Sequence, residues 1–393
     1  MKKKLFLISL LLIGCSPAEP VENGTINYEF IDDGLVARVI ESPSFNKKEL
    51  IIPSTIIHNN KEYTVKKIKM NSFKDNKYIE KVDLPDTVND IGYDIFRNCT
   101  SLKSVDYSLG LTTIPDHMFA GCTSLTSFIN GDNVETMNKG VFRDTAIRSI
   151  SFTKLKKLNI NAFFNCPNLE EVSLLGSYTS LPGSFFEKCP SLKRVELPES
   201  VNTISSYAFK KCPSLEEFDF SNIKSLGTSS FESSGLKNIN LKVNSIGIWC
   251  FYNCDKLENV TIDTKQISQR CFYGCDKLNE VNLLNTKIIG NEAFANSSIT
   301  SITIPSSLQS ISSYGFSNSK LEQINFDDNS SLEVISRYAF DNCLLQGDIT
   351  LPSSLKSIYH NAFTNTKLNS VKISSLTSVD YNSFDENVTI ERY

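Results

Sequence analysis

The sequence predicts a mainly β repeat solenoid, one coil stacked on the next, and three observations carry that expectation. Phenylalanine recurs about every 22 residues from Phe73 to Phe384, at spacings between 20 and 24. An apolar residue stands five positions before each of these 15 anchors, from Ile68, Ile91 and Ile114 to Val379. Between anchors run short alternating segments such as Val195-Glu196-Leu197, closed by Pro198. Period 2 marks a strand with one buried face, and a proline without an N–H is confined to strand ends and edges. A coil offers about five buried side chains worth roughly 2 kcal/mol each. Ordering its residues costs roughly 30 kcal/mol. Stability therefore has to come from neighbouring coils.

The elements follow in chain order. Residues 1–14 read as a lipoprotein signal peptide: Lys2, Lys3 and Lys4, then the apolar run Leu5 to Ile13. That run is too short to span a hydrocarbon core of about 30 Å. Leu12-Ile13-Gly14-Cys15 resembles a bacterial lipobox, so cleavage before Cys15 and lipid on its thiol are expected. Residues 15–25, with two prolines and no apolar pattern, read as a flexible lipidated tether. Residues 26–67 read as an N-terminal hairpin cap, turning at Asp32-Asp33-Gly34, with a degenerate first repeat at Leu50-Ile51-Ile52-Pro53. Residues 68–393 form the solenoid, with Val388 to Ile390 supplying a last strand. No second domain is expected.

The repeat comes in two versions. Eight coils carry a cysteine three residues after the anchor: Cys99, Cys122, Cys166, Cys189, Cys212, Cys254, Cys275 and Cys343. Elsewhere that position is mostly Ser or Thr (Thr145, Ser234, Ser297, Ser319, Thr366), and the next leucine arrives one residue earlier. The turn thus has two lengths.

Stretches such as YAFKKCPSLEEFDF, MFAGCTSLTSF and CFYGCDKLNEVNL resemble the BspA-like leucine-rich repeats of bacterial surface lipoproteins, from about Leu50 to Ile390. The resemblance implies a right-handed leucine-rich-repeat coil with a parallel strand face. It also implies an adhesin or surface-antigen role toward host, matrix or cell-surface proteins. It brings no shared site residues, because the repeat motif is the core.

Loss of a leader with three lysines takes the net charge from −4 to −7, which argues against nucleic acid as a partner. The repeated cysteines read as a ladder of small buried thiols rather than cross-links. No catalytic, cofactor or metal motif appears: the three histidines, His58, His117 and His360, are scattered, and neither a GxSxG nor a Walker loop is present. Gly92, Gly227, Gly247 and Gly290 recur before anchors and are assigned to turn geometry.

Two surfaces are candidates for ligand binding. One is the outward strand face, acidic in its first half through Asp106, Glu171, Glu196, Glu217 and Asp219, and amide- and hydroxyl-rich from Asn238 onward. The other is an aromatic row two residues before the anchors, Tyr207, Trp249, Tyr314 and Tyr338, expected to be exposed on one flank. The leading expectation is a lipid-anchored surface adhesin or protein-binding module in the bacterial envelope, outside the cytoplasm and on the outer-membrane cell surface. Polysaccharide or glycan capture and a passive envelope scaffold are the alternatives.

Overall fold

The structure, a computed structural model, describes residues 25–393; Cys15, the signal peptide and nearly all of the tether lie outside the described residues. Two compact units are present: residues 25–178 with 184–198, and 179–183 with 199–393. Solenoid coils touch mainly their neighbours, so compactness is local and a long stack resolves into such units. Among the described residues the regular structure is strand, apart from one 3-10 turn at Gly131–Asn133.

Most coils have a front strand, a turn around the anchor phenylalanine, and a back strand of two residues. In the first unit the front strands Glu49–Ile51, Lys81–Asp83, Ser104–Asp106 and Ser127–Ile129 pair in parallel. A second front sheet joins Ser149–Leu155, Glu171–Gly176 and Arg194–Glu196. In the second unit front sheets contain Asn238–Lys242, Asn259–Asp263 and Glu280–Leu283, then Ser301–Ile304 with Gln323–Phe326, then Gln346–Thr350, Lys367–Ile373 and Thr389–Arg392. The back strands hold the apolar residue five before each anchor. One sheet there runs through six coils, from Gln266–Ile267 to Ser378–Val379.

The anchors form the spine. Successive rings from Phe73 to Phe186 lie 5.3 to 5.8 Å apart, and those from Phe209 to Phe384 lie 5.0 to 5.5 Å apart, with nearly parallel planes. Offset parallel stacking avoids placing one ring's negative face on another. The backbone bends sharply on both sides of each ring. The residue two before every anchor has a positive φ, and so does the residue two after every anchor up to Phe363. Asn, Asp and Gly dominate there because their small or locally hydrogen-bonding side chains tolerate the left-handed region. The cysteine three after the anchor donates its thiol to the preceding coil's anchor carbonyl, as Cys99 does to Phe73 at 3.1 Å and Cys275 to Phe251 at 3.2 Å. All ten described cysteines are buried thiols rather than disulfides.

The cap is a double hairpin. Tyr28–Ile31 runs antiparallel to Val36–Val39, and Thr55–His58 runs antiparallel to Lys61–Ile68. The second turn uses Asn59 and Asn60, at φ 50° and 59°, the left-handed pair a two-residue hairpin needs. Val36–Val39 then pairs in parallel with Lys61–Ile68, which passes the ladder to Asp90–Ile91.

Two sequence expectations are corrected. Gly92, Gly227, Gly247 and Gly290 do not have positive φ; a Cβ at each would lie 2.3 to 2.6 Å from backbone of the adjacent coil. Close approach of two chains, rather than turn geometry, excludes a side chain there. Cys343 also belongs to the short-turn class, since Leu345 is buried while Leu344 is exposed.

Candidate functional site

The front face is where the two turn lengths take effect. Its strands pair between most consecutive coils of equal turn, as at 81–83, 104–106 and 127–129, although Gln323–Phe326 and Gln346–Thr350 fall in different sheets. They also pair where a short turn precedes a long one, as in Ser149–Leu155 with Glu171–Gly176. A long turn followed by a short one breaks the ladder. This happens between the Phe119 and Phe142 coils, where Ser127–Ile129 and Ser149–Leu155 fall in different sheets. It happens again between the Phe272 and Phe294 coils, where Glu280–Leu283 and Ser301–Ile304 are unpaired. At the third such step, Phe209 to Phe231, the front segment of the Phe209 coil forms no strand. Losing one residue from the turn shifts the following strand, and its amides no longer meet their acceptors.

Each of the first two breaks opens a cleft. In the first unit a cleft of about 570 Å³ is walled by Ile129, Asn130 and Asp132, and floored by Ser149, Ser151, Glu171, Ser173, Arg194 and Glu196. In the second unit a cleft of about 270 Å³ is lined by Asn259, Thr261, Asn279, Glu280, Asn282, Ser301 and Thr303. The first is acidic; the second is mostly amide and hydroxyl.

The predicted acidic residues fall into different settings. Glu171 and Glu196 are exposed on the floor of the first cleft, and Ser173 donates to Glu196 at 2.8 Å. Asp106 is half-buried and accepts from Asn130 Nδ2 at 2.5 Å, which anchors the cleft wall. Glu217 and Asp219 are exposed in the strandless segment of the second unit. The expected strand is absent there, although Phe218 and Phe220 still pack on Phe231, at 5.2 and 5.3 Å. Asp219 instead accepts from the Ser221 amide at 2.9 Å, a bond that holds its carboxyl below the usual range.

The aromatic row does not form one platform. Tyr207, Trp249, Tyr314 and Tyr338 all occupy the left-handed position before their anchors, at φ between 57° and 63°. Trp249 is half-buried and its indole N–H is buried without a partner, contrary to the expected exposure. Ser229 separates Tyr207 from Trp249, and the ion pair of Arg270 with Glu292, at 2.9 Å, occupies the two coils between Trp249 and Tyr314. Tyr314 and Tyr338 stack on each other at 4.8 Å and 3°, so each ring spends one face on the other. The row continues instead through His360 to Tyr381, which is 78% exposed.

Among the described residues, no group of three His, Cys, Asp or Glu could hold a metal, and no helix is long and apolar enough to cross a membrane. His117 lies 3.5 Å from Asp94, and burial lowers its pKa. Sequence reasoning missed Ile129 and Asp132, the wall of the larger cleft. The signal was present in the early arrival of Ile147 after Thr145.

The BspA type leucine rich repeat region matches at residues 39–170, 156–279 and 265–391. A leucine-rich repeat protein from Bacteroides ovatus is similar in fold, with a TM-score of 0.74 at 24% identity over 94% of this chain and 98% of its own. A leucine rich cell surface protein from Faecalibacterium prausnitzii matches at 22% identity and TM-score 0.42, over 96% of this chain and 95% of its own. The pneumococcal vaccine antigen PcpA matches at 14% identity and TM-score 0.40, over 100% of this chain and 94% of its own. No curated protein matches. A repeat model spanning nearly all of the solenoid, on a fold of stacked parallel coils, establishes that the chain belongs to the BspA-type leucine-rich repeat family.

Proposed function

We propose that the chain is a cell-surface binding protein, anchored through lipid on Cys15, that recognises an extracellular protein with the front face of its solenoid. The observation that carries this reading is the pair of clefts at the ladder breaks. Their polar linings are exposed rather than committed to the core, which is how a binding surface differs from a packed one. The aromatic flank supports protein over sugar, since Tyr314 and Tyr338 cover each other's faces and a sugar platform needs them open. Glycan capture retains one favourable observation, the uncharged amide and hydroxyl lining of the second cleft.

The test is a binding screen of the purified chain against matrix and plasma proteins alongside a glycan array. A saturable protein hit that competes on intact cells supports the reading. A glycan hit lost on Asn282→Ala with Thr303→Ala replaces it with sugar capture. The anchor is tested by incorporation of labelled fatty acid, expected in the wild type and absent from Cys15→Ala.

A further inference from the structure

The cleft in the first unit has a built wall and an uneven charge. The wall is the tight turn Gly131–Asn133, tied at its near end by Asn130 to Asp106 and at its far end by Lys154 Nζ to Asn133 Oδ1 at 2.9 Å. Ile129 stands just before it, with 52% of its surface exposed beside the cleft. Three carboxylates, Asp132, Glu171 and Glu196, line the cleft against one cation, Arg194. The register sets Glu171 beside Arg194 and Ser173 beside Glu196. The two glutamates therefore sit diagonally on adjacent strands, about 8 Å apart at the backbone. Alternate side chains on one face of an extended peptide repeat at about 6.7 Å.

We infer that this cleft docks an extended, positively charged polypeptide segment of the partner, with basic side chains at alternate positions over Glu171 and Glu196 and an apolar side chain against Ile129. The inference rests on the binding-face reading and assigns its ligand chemistry. Charge complementarity commits the occupant. An acidic or neutral segment would desolvate the two carboxylates without pairing them.

The experiment measures anisotropy of two labelled peptides with the purified chain: one of about eight residues alternating Lys with Thr around a central Leu, and its counterpart with Glu for Lys. The basic peptide is expected to bind saturably and to weaken with salt, and the acidic one to remain free. Glu171→Gln with Glu196→Gln should weaken the basic peptide about tenfold or more, while Glu280→Gln in the other cleft leaves it unchanged. Glu171→Lys with Glu196→Lys should reverse the preference, and Ile129→Ser should weaken binding without reversing it. Equal binding of both peptides, or wild-type binding by the double glutamine variant, overturns the inference. A protein hit in the binding screen retained in full by that variant removes this cleft and leaves the binding-face reading intact. Absence of every protein hit removes that reading, while the peptide result is judged on its own.

Discussion

The front and back of each coil respond differently to variation in the repeat. The back strand and the anchor ring keep a fixed separation of five residues in all 15 coils, and the stacked rings keep a constant spacing. All length variation enters after the anchor and is absorbed by the front. Back ladders also break, but for a different reason. Pro115 follows Ile114 and has no N–H to give the preceding coil, so Asp90–Ile91 and Thr113–Ile114 fall in different sheets. After Ile267 the Ser268 hydroxyl, rather than its backbone amide, bonds Ile246 O at 2.5 Å. Those breaks lose a hydrogen bond without opening a cleft in the spine. Front breaks displace whole strands and leave the clefts. The candidate binding surface therefore gathers on the side where the repeat is irregular.

The comparison can be broken first at the spine. Phe272→Ala, with its ring between Phe251 and Phe294 at 5.2 and 5.3 Å, should destabilise the chain by about 3–5 kcal/mol. A face variant such as Asn282→Ala should change stability by no more than about 0.5 kcal/mol; urea denaturation compares the two. Gly247→Ala probes the tight backbone contact, since a Cβ would lie 2.3 Å from Gly227 C. It should cost about 1–3 kcal/mol by overpacking, read as a lowered denaturation midpoint.

The link between turn length and cleft is sharpened by adding one residue between Ser297 and Ile299. Long turns on both sides should let Ser301–Ile304 pair with Glu280–Leu283, closing the smaller cleft, slowing amide exchange across the new ladder and moving the break to the step between Ser301–Ile304 and Gln323–Phe326. Each new backbone bond should add about 0.5–1.5 kcal/mol. Unchanged exchange would separate turn length from the break.

Tyr338→Asn should be nearly neutral, within about 1 kcal/mol. Relief of left-handed backbone strain, about 1–2 kcal/mol, offsets a lost ring pair worth about 0.5–1.5 kcal/mol. The smallest effect concerns Glu216, whose carboxyl is held down at about 2 by hydrogen bonds from Lys237 and Lys256, at 2.7 and 2.9 Å. Because its folded pKa is depressed, its contribution is present above the usual carboxylate pKa and lost as pH falls toward 2. Glu216→Gln should flatten the pH dependence of stability in that window, and partial exposure to solvent keeps the change slight.

Much of the fold was legible because a repeat writes its core into a period. The anchors, the residue five before each, and the strand-then-proline step identify buried positions without reference to any distant contact. The Asp32-Asp33-Gly34 turn was equally readable, since its chemistry is local. The missing strand at Glu217 and Asp219 was not, because alternation marks which side chains face the core but not whether the segment finds a neighbour to pair with. Nor did the sequence distinguish a glycine needed for positive φ from one needed for clearance, as Gly92 and Gly247 show.

The candidate site divides along the same line. Which residues face outward on a strand follows from period 2, so Glu171, Glu196 and Asp106 could be named from sequence alone. Which of them share a cleft depends on the register between coils, and register is set by backbone hydrogen bonds formed only when coils stack. Periodicity by itself determined a parallel β solenoid with a phenylalanine spine. Tertiary structure decided where the ladder fails, because a one-residue change in a turn is a small matter within one coil and a displaced strand between two.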